Sequence, residues 1–349
     1  MKESKLKNIV LPMREMLYQY DIIIDGYKQK SGSSIIGYTC EIFPPEIISS
    51  FGVIPLKIPG FFREKDCPCK LLNDSRLNDI FDYIIVPDRC TCVNKIEGYK
   101  NPYYKFINAG GYGEDASIEF HNSLDLMLKS LNISDIEKID IEKLQKCTKE
   151  YDGLRRCIRG IASIRKTKPD LLSNDDLMVI FEAALSFPPS IIIDSLAYIL
   201  DALNKTDSTC GEDLPAAMVH SGLIVNGSIL DDIEEGGCLI AEDDFCNGRR
   251  QFDLSFNWSS NYLYYEILNA FSYRPLCPSI RRKEERFELL YKLLKNHGIK
   301  FVVLIQNSCT CREEEIEYLR VKLMRSGIDP VIVKSNSAIE QVKEYVKLV

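Results

Sequence analysis

Two segments of the chain end in the same pair of cysteines. Asp82-Tyr-Ile-Ile-Val-Pro-Asp-Arg-Cys90-Thr-Cys92 and Lys300-Phe-Val-Val-Leu-Ile-Gln-Asn-Ser-Cys309-Thr-Cys311 each have the pattern of a short buried strand followed by a Cys-Thr-Cys tip. Open parallel sheets usually bind ligands beyond the carboxyl ends of their strands. Thiolates gathered there are soft ligands, and iron–sulfur clusters are held chiefly by such thiolates. This spacing therefore indicates a metal–sulfur centre.

Two further cysteine sites extend this set. Cys67-Pro-Cys69 forms a third close pair, and a single cysteine lies in Gly37-Tyr-Thr-Cys40-Glu-Ile-Phe-Pro-Pro-Glu46. The chain has 13 cysteines, an odd number, and disulfide frameworks are rare in a reducing compartment. Metal ligation or redox chemistry is therefore the expected use of the clustered cysteines. Isolated cysteines are more often small buried apolar residues. We interpret three of them in this way: Cys147, Cys157 and Cys210.

Zinc is the alternative metal. Structural zinc usually has four tetrahedral ligands, often from two Cys-x-x-Cys knuckles, and the sequence contains no such knuckle. An iron–sulfur cluster therefore ranks before zinc. The three histidines, His121, His220 and His297, fall on predicted helices or beside a strand, and we assign none of them a role. The sequence gives no support for Ser-His-Asp hydrolysis.

The segment Asp243-Asp-Phe-Cys246-Asn-Gly-Arg249-Arg250 joins acidic residues that leave a strand to a cysteine, a turn glycine and two arginines. The arginines could grip a carboxylate or phosphate, or they could form salt bridges with the two aspartates. The sequence leaves both interpretations open. Three cysteines are additional candidate metal ligands: Cys92, Cys246 and Cys311.

A glycine-containing segment, Gly222-Leu-Ile-Val-Asn-Gly227-Ser228, stands between a predicted strand and a predicted helix. It could receive a phosphate at the helix N-terminus. It lacks the Lys-Ser/Thr of a P-loop and the spacing of a dinucleotide fingerprint. We therefore favour a simple tight turn.

The composition is that of a globular protein, with 45% apolar and 27% charged residues. The formal net charge is −7, and the 44 lysines and arginines are spread over predicted helices. Nucleic-acid binding usually needs a basic stripe, so we expect no such partner. The first residues lack a secretory signal, and no apolar run approaches the roughly 18 residues of a membrane helix. We expect a cytoplasmic protein without a membrane partner.

The order of predicted elements indicates the fold class. After a leading helix, strands near residues 34–38, 53–58 and 83–86 alternate with helices, which is typical of a parallel sheet with helices on both faces. A second unit of this kind begins near Ala216. Between them, apolar residues recur at helical spacing. The sequence thus predicts an N-terminal α/β domain (1–113), a helical connector and cover (114–205) and a C-terminal α/β domain (206–349).

Several of these motifs occur together in one known family. Gly37-Tyr-x-Cys40-Glu-x-x-Pro-Pro-Glu46, the strand ending at Cys90, Asp243-Asp-x-Cys-x-Gly-x-Arg250, Cys277-Pro and the strand ending at Cys309 follow one order. The chain resembles the 2-hydroxyacyl-CoA dehydratase component D family, which includes benzoyl-CoA reductase-type subunits and double-cubane cluster proteins. The resemblance spans nearly the whole chain.

The resemblance implies two flavodoxin-like (Rossmann-like) parallel-sheet domains with a [4Fe-4S] cluster, or a double-cubane [8Fe-9S] cluster, held between them. By position, Cys40, Cys90 and Cys309 correspond to the three ligands. It further implies an ATP-hydrolysing iron–sulfur activator protein as electron donor, and a second copy or a homologous subunit as partner. The substrate is then a small molecule or an acyl-CoA ester. Four residues are candidates for contacts around the cluster or with substrate: Tyr38, Glu46, Arg249 and Arg250.

One departure from the family pattern bears on the reaction. Thr91-Cys92 and Thr310-Cys311 follow the second and third cysteines, and the extra thiols could change which sulfur ligates. The compact chain leaves little room for a CoA pocket, which favours a double-cubane-type reductase over a dehydratase or benzoyl-CoA reductase subunit. A non-catalytic scaffold subunit and a zinc-binding module are the remaining alternatives.

Overall fold

The fold is known from a computed structural model of the chain. It describes residues 6–40, 44–60, 79–87, 103–106, 114–208, 214–224, 227–273, 283–299, 301–306, 313–334 and 338–347. Within these residues the strands are β1 Ile35–Tyr38, β2 Ile54–Lys57, β3 Tyr83–Pro87, β4 Tyr103–Phe106, β5 Ala216–His220, β6 Leu239–Asp244, β7 Phe301–Gln306 and β8 Pro330–Lys334.

Helices precede and connect these strands. The described helices are α1 Leu11–Tyr18, α2 Tyr20–Ser31, α3 Pro45–Ser50, α4 Glu114–Ser130, α5 Ile141–Thr167, α6 Asn174–Ser186, α7 Pro189–Lys205, α8 Ser228–Glu235, α9 Leu263–Ser272, α10 Lys283–His297, α11 Glu313–Arg325 and α12 Ala338–Val346. None of them is long and apolar enough to cross a membrane.

The eight described strands form two sheets of four, and every pairing is parallel. The first sheet has the order β2-β1-β3-β4 and the second has the order β6-β5-β7-β8. The predicted α/β class is therefore confirmed. In each sheet the first strand of the unit lies between the second and the third, so the chain reverses its direction across the sheet at that strand.

Local sequence signals explain several element ends. Pro45 lies in the first turn of α3, where a missing backbone N–H costs no hydrogen bond. Gly52 follows that helix with φ +80°, a conformation that favours glycine. Ser173 caps α6 by accepting a hydrogen bond from the backbone N of Asp176 at 3.0 Å, the usual role of serine at a helix start.

The sequence analysis missed β4, a four-residue strand that contains Lys105. Its residues, Tyr-Tyr-Lys-Phe, lack the run of β-branched apolar residues that marks β1 and β3. The helix predicted between the strands near residues 53–58 and 83–86 lies mostly outside the described residues, and the Cys67-Pro-Cys69 pair lies wholly outside them. Between residues 114 and 205 the described elements are helices, as predicted.

Three apolar clusters hold the elements together. The first contains Ile35 and Ile84 of the first sheet and Val219 and Val303 of the second, packed with helices such as α6. The second covers the other face of the first sheet with α4 and α9. The third covers the other face of the second sheet with α10 and α11. Each sheet is therefore buried on both faces, as parallel sheets usually are.

Candidate functional site

The carboxyl edge of the first sheet carries Cys40. Its position is two residues after Tyr38, the last residue of β1, and its side chain is partly exposed and packs against the second apolar cluster. The neighbouring strand β3 ends at Pro87. Cys90 follows three residues later in the sequence and lies outside the described residues, as does Cys92. Of the predicted ligands at this edge, the structure therefore describes Cys40 alone.

The carboxyl edge of the second sheet carries Cys246, two residues after the end of β6. Its side chain is partly exposed, and its backbone N donates a hydrogen bond of 2.8 Å to the carbonyl oxygen of Gly222. The loops after β5 and β6 are thereby joined. Cys309 and Cys311 follow β7 in the sequence and lie outside the described residues.

Three other described cysteines have the properties of structural residues. Burial raises the pKa of the Cys147 thiol to about 11 and that of Cys238 to about 12. Burial also raises the pKa of Cys157. The thiolate is the form that binds metals, so a raised pKa disfavours ligation. The interpretation of Cys147 and Cys157 as packing residues agrees with this environment, and Cys210 lies outside the described residues.

A small cleft lies beside the carboxyl end of β1. It is lined by residues of β1, β2, α5 and α6 and by the segment after β6, among them Tyr38, Pro55, Arg155, Leu185, Gln251 and Phe252. Residues from distant parts of the chain thus meet next to Tyr38. Tyr38, Arg155 and Gln251 contribute polar groups to the lining of this cleft.

Glu46 lies behind this cleft, on α3, and is fully buried. Its carboxylate forms an ion pair with the Arg155 guanidinium. Tyr151, one helical turn before Arg155, has its hydroxyl 3.2 Å from Ser49 Oγ, and burial raises its pKa. The sequence analysis selected Glu46 but not Arg155 or Tyr151. Both residues lie in α5, whose sequence predicts a helix but does not indicate that this helix packs against α3.

The two adjacent arginines have acidic partners in the same segment. Arg250 Nη1 lies 3.1 Å from Asp244 Oδ1, whereas Arg249 pairs with Glu242. The backbone N of Arg249 also donates a hydrogen bond of 2.9 Å to Asp243 Oδ1. The sequence left open whether the two arginines grip a ligand or form salt bridges with the two aspartates, and the described contacts favour salt bridges. Arg250 pairs with Asp244 as expected, whereas Arg249 pairs with Glu242 and not with an aspartate of the segment.

Gly248 permits this arrangement. A Cβ atom at its position would lie 2.1 Å from Asp243 Oδ1 and 2.8 Å from ring atoms of Phe245. Only glycine leaves room for the Asp243 carboxylate to reach the backbone N of Arg249. Burial raises the pKa of Asp243 to about 7, and the nearby charge and backbone N–H of Arg249 offset only part of this rise. Close packing against Asp243 and Phe245 therefore explains why this motif has a glycine at position 248.

A buried polar group that the sequence analysis did not assign lies at the end of β5 and β6. His220 Nδ1 is 2.9 Å from Asp244 Oδ2, and Arg286 Nη2 of α10 is 2.7 Å from the same oxygen. Burial would raise the pKa of Asp244, but Arg286, His220 and Arg250 lower it below its ordinary value. An ionised carboxylate can only accept, so Nδ1 of His220 donates. Burial lowers the pKa of His220, and Nε2 has no hydrogen-bond partner among the described residues.

No group of three or more His, Cys, Asp and Glu side chains in the described part of the chain is arranged to hold a metal ion. Most of the predicted ligands lie outside that part. Cys40 fits a ligand role in one respect, because its partly exposed thiol at the sheet edge is accessible to a metal or a cluster.

Comparison with known proteins identifies the family. A search of curated proteins found no match. A family model described as 2-hydroxyglutaryl-CoA dehydratase, D-component, matches residues 40–345. The matched segment begins at Cys40 and includes Glu46, Cys90, Cys309 and both arginines. The chain therefore belongs to the 2-hydroxyglutaryl-CoA dehydratase D-component family.

Proposed function

We propose that this chain is an iron–sulfur protein that performs low-potential, ATP-dependent reductive chemistry. Its [4Fe-4S] or double-cubane [8Fe-9S] cluster is held between two domains by Cys40, Cys90 and Cys309. The family match carries this proposal, because it spans all three cysteines. When bound, the cluster supplies single electrons at low potential to a substrate.

The strand order supports the proposed placement of the ligands. Within each sheet the first strand of the unit lies between the second and third strands, and ligands of such sheets bind at the carboxyl ends beside this reversal. Cys40 follows β1, and in the sequence Cys90 follows β3 and Cys309 follows β7. These are the strands that flank the reversal. The orders match four strands of the flavodoxin-like arrangement, and we propose two such domains, 1–113 and 206–349, joined by the helical region 114–205.

The cleft beside β1 is the proposed substrate-contact region. Tyr38 lines it and supplies a hydroxyl, a group that hydrogen-bonds to a carbonyl or carboxylate oxygen. Glu46 contributes through its ion pair with Arg155. Arg249 and Arg250 are further candidates for substrate contact, and their described contacts are with acidic residues. Cys92, Cys246 and Cys311 remain candidates for additional ligands.

The proposal extends to partners and location. An ATP-hydrolysing iron–sulfur activator delivers the electron, and a second copy or a homologous subunit completes the assembly. The substrate is a small molecule or an acyl-CoA ester. Thiolate ligands of a cluster must stay reduced, which a reducing compartment favours, so the proposed location is the cytoplasm.

Anaerobic reconstitution tests the cluster. The full chain is reconstituted with iron and sulfide, and bound iron, sulfide, zinc and the EPR spectrum after reduction are measured. We expect iron and sulfide in the wild type, and their loss in Cys40→Ser, Cys90→Ser and Cys309→Ser. Cys157→Ser is the matched control and should keep the cluster. A colourless wild type, or stoichiometric zinc instead of iron, would contradict the proposal and favour a scaffold or zinc-binding subunit.

The family match also favours a second candidate, a subunit of a radical 2-hydroxyacyl-CoA dehydratase. This candidate uses the same cluster, so the iron analysis does not distinguish the dehydratase subunit from the reductase. Activity assays with an activator, ATP and a low-potential reductant distinguish them. Formation of the enoyl-CoA from a 2-hydroxyacyl-CoA would establish dehydration. Reduction of a small molecule without turnover of the thioester would favour the reductase.

A further inference from the structure

One side of α5 carries four polar side chains that contact two distant parts of the chain. Tyr151, Asp152, Arg155 and Arg159 lie one or two helical turns apart on neighbouring positions of the same helix face. We call these four residues the α5 clamp. Arg155 is 4% exposed, so its charge is almost fully removed from water.

The clamp holds α3 from one side. The Arg155 guanidinium pairs with the buried Glu46 carboxylate near the start of α3. The Tyr151 hydroxyl lies 3.2 Å from Ser49 Oγ near its end. Since α3 is the first described element after Cys40, these two contacts determine where the chain leaving Cys40 is attached.

The clamp also holds the segment Phe252–Phe256, which follows β6. Arg159 Nη1 donates hydrogen bonds to the carbonyl oxygens of Phe252 at 2.7 Å and Leu254 at 2.9 Å. Ser255 Oγ donates to Asp152 Oδ1 at 3.1 Å. The Arg155 guanidinium carbon lies 5.6 Å from the centre of the Phe256 ring, within the range of a cation–π contact.

Arg155 therefore contacts both α3, through Glu46, and the segment Phe252–Phe256, through the Phe256 ring. Cys40 packs against the second apolar cluster, to which Phe256 and Ile47 of α3 belong and against which Leu254 packs. An unpaired charge in this interior would be costly, so the Arg155–Glu46 pair strongly favours one arrangement of α3. The planar guanidinium adds the contact with the ring, which an ammonium group on a flexible stem does not reproduce.

We propose that Arg155 is a positioning residue, which fixes the Cys40 segment relative to the segment Phe252–Phe256. It acts through Glu46 and Phe256 and does not touch the reacting atoms. The inference rests on the proposed function only in the experiment that measures the EPR spectrum of the cluster. The position of Cys40 can be measured without a cluster.

The first test measures the alkylation rate of Cys40 in the metal-free full chain by peptide mass analysis. Arg155→Lys keeps the charge but loses the fork and the ring contact. We expect Cys40 to react about fivefold faster, because its segment opens locally more often, whereas Cys157 keeps its rate. Arg156→Lys is the matched control, since Arg156 is the next residue, its side chain is 63% exposed, and lysine keeps the positive charge that lies 3.5 Å from Asp152. It should leave Cys40 unchanged.

The second readout is the EPR line shape of the reduced cluster after anaerobic reconstitution. We expect Arg155→Lys to retain iron and change the line shape, and Arg156→Lys to match the wild type. Unchanged Cys40 reactivity together with an unchanged spectrum would overturn the inference. Should Arg155→Lys fail to fold, Phe256→Leu leaves the ion pair intact and removes the ring face. It must then raise the reactivity of Cys40, and an unchanged rate would equally overturn the inference.

The two proposals fail in different ways. A wild-type chain that takes up no iron contradicts the proposed function but leaves the alkylation measurement as a full test of Arg155. A wild-type chain that binds iron, with Cys40 equally reactive in Arg155→Lys and Arg156→Lys and the same EPR spectrum in both, contradicts the positioning role alone.

Discussion

Asp244 and Arg286 form an ion pair in the interior of the second sheet unit, with 2.7 Å between Oδ2 and Nη2. Arg286 is 0% exposed and Asp244 is 2% exposed. His220 and Arg250 contact the same carboxylate. The carboxyl ends of β5 and β6 are thereby joined to α10, so this carboxylate connects the sheet edge to the helix that covers it.

Asp244→Asn should destabilise the protein strongly. The substitution removes the counter-charge of a fully buried guanidinium, which typically costs about 3–5 kcal/mol. Urea unfolding followed by circular dichroism measures the change. Asp253→Asn is the control, because Asp253 is half exposed and lies 3.9 Å from Arg249 Nε. It should change the free energy of unfolding by less than about 0.5 kcal/mol. Equal stabilities of the two variants would contradict the importance of the buried pair.

Lys57 and Glu182 should show strong energetic coupling. Their side chains are buried, 2.7 Å separates Nζ from Oε2, and Glu182 Oε1 also accepts a hydrogen bond of 2.6 Å from the backbone N of Gly60. Each single variant, Lys57→Met or Glu182→Gln, should lose about 3–5 kcal/mol, since it leaves one buried charge unpaired. The double variant should lose much less than the sum.

The control for this cycle is the exposed pair Lys205–Asp201, with 2.6 Å between Nζ and Oδ2 on α7. Its coupling should be only about 0.3–0.5 kcal/mol, because water screens the charges. Denaturant unfolding of both sets of variants gives the two coupling energies. Coupling of the buried pair no larger than that of the exposed pair would refute the prediction.

Gly37→Ala should destabilise β1 and with it the segment that leads to Cys40. A Cβ at Gly37 would lie 2.8 Å from Ile84 Cδ1 and from Phe81 Cγ, and such overpacking typically costs about 1–3 kcal/mol. Gly26→Ala is the control, since nothing lies within 4 Å of its Cβ position in α2. That variant should gain about 0.5–1 kcal/mol. Thermal unfolding midpoints should therefore move in opposite directions.

Asp231 should make folding stability decrease between about pH 4 and pH 6. Burial raises its pKa from 3.8 to about 6, although the backbone N–H groups of Asn174 and Asp175 lower it. The folded chain then binds a proton more tightly than the unfolded chain, so stability is lost as the pH rises through this window. Free energies of unfolding across the window, for wild type and Asp231→Asn, should differ in slope.

Ser173→Ala provides the control for this pH dependence. Ser173 caps α6, whose first two backbone N–H groups donate to Asp231. It accepts a hydrogen bond from the backbone N of Asp176 but carries no titratable group. Its loss should cost about 0.5–2 kcal/mol at every pH, with a slope equal to that of the wild type. An Asp231→Asn curve parallel to the wild-type curve would show that Asp231 does not titrate in this range.

Local patterns were sufficient to predict most elements and the positions of the cysteines along the chain. Cys40 was expected after a strand and lies two residues beyond β1, and Cys246 lies two residues beyond β6. Strand and helix patterns depend on neighbouring residues, so they can be recognised without knowledge of packing. The same is true of the α/β class, which follows from the alternation of elements.

Contacts between distant segments were decided by the tertiary structure. The sequence offered Glu46 as a candidate but not its partner Arg155, and it left open whether Arg249 and Arg250 bind a ligand or acidic residues. Neither charge pattern nor periodicity specifies which helix face meets which strand end. The sequence by itself therefore determined most of the elements and the family motifs, because these are recorded residue by residue. Packing alone determined which buried charges meet, because desolvation allows such charges only where a partner from another element is in reach.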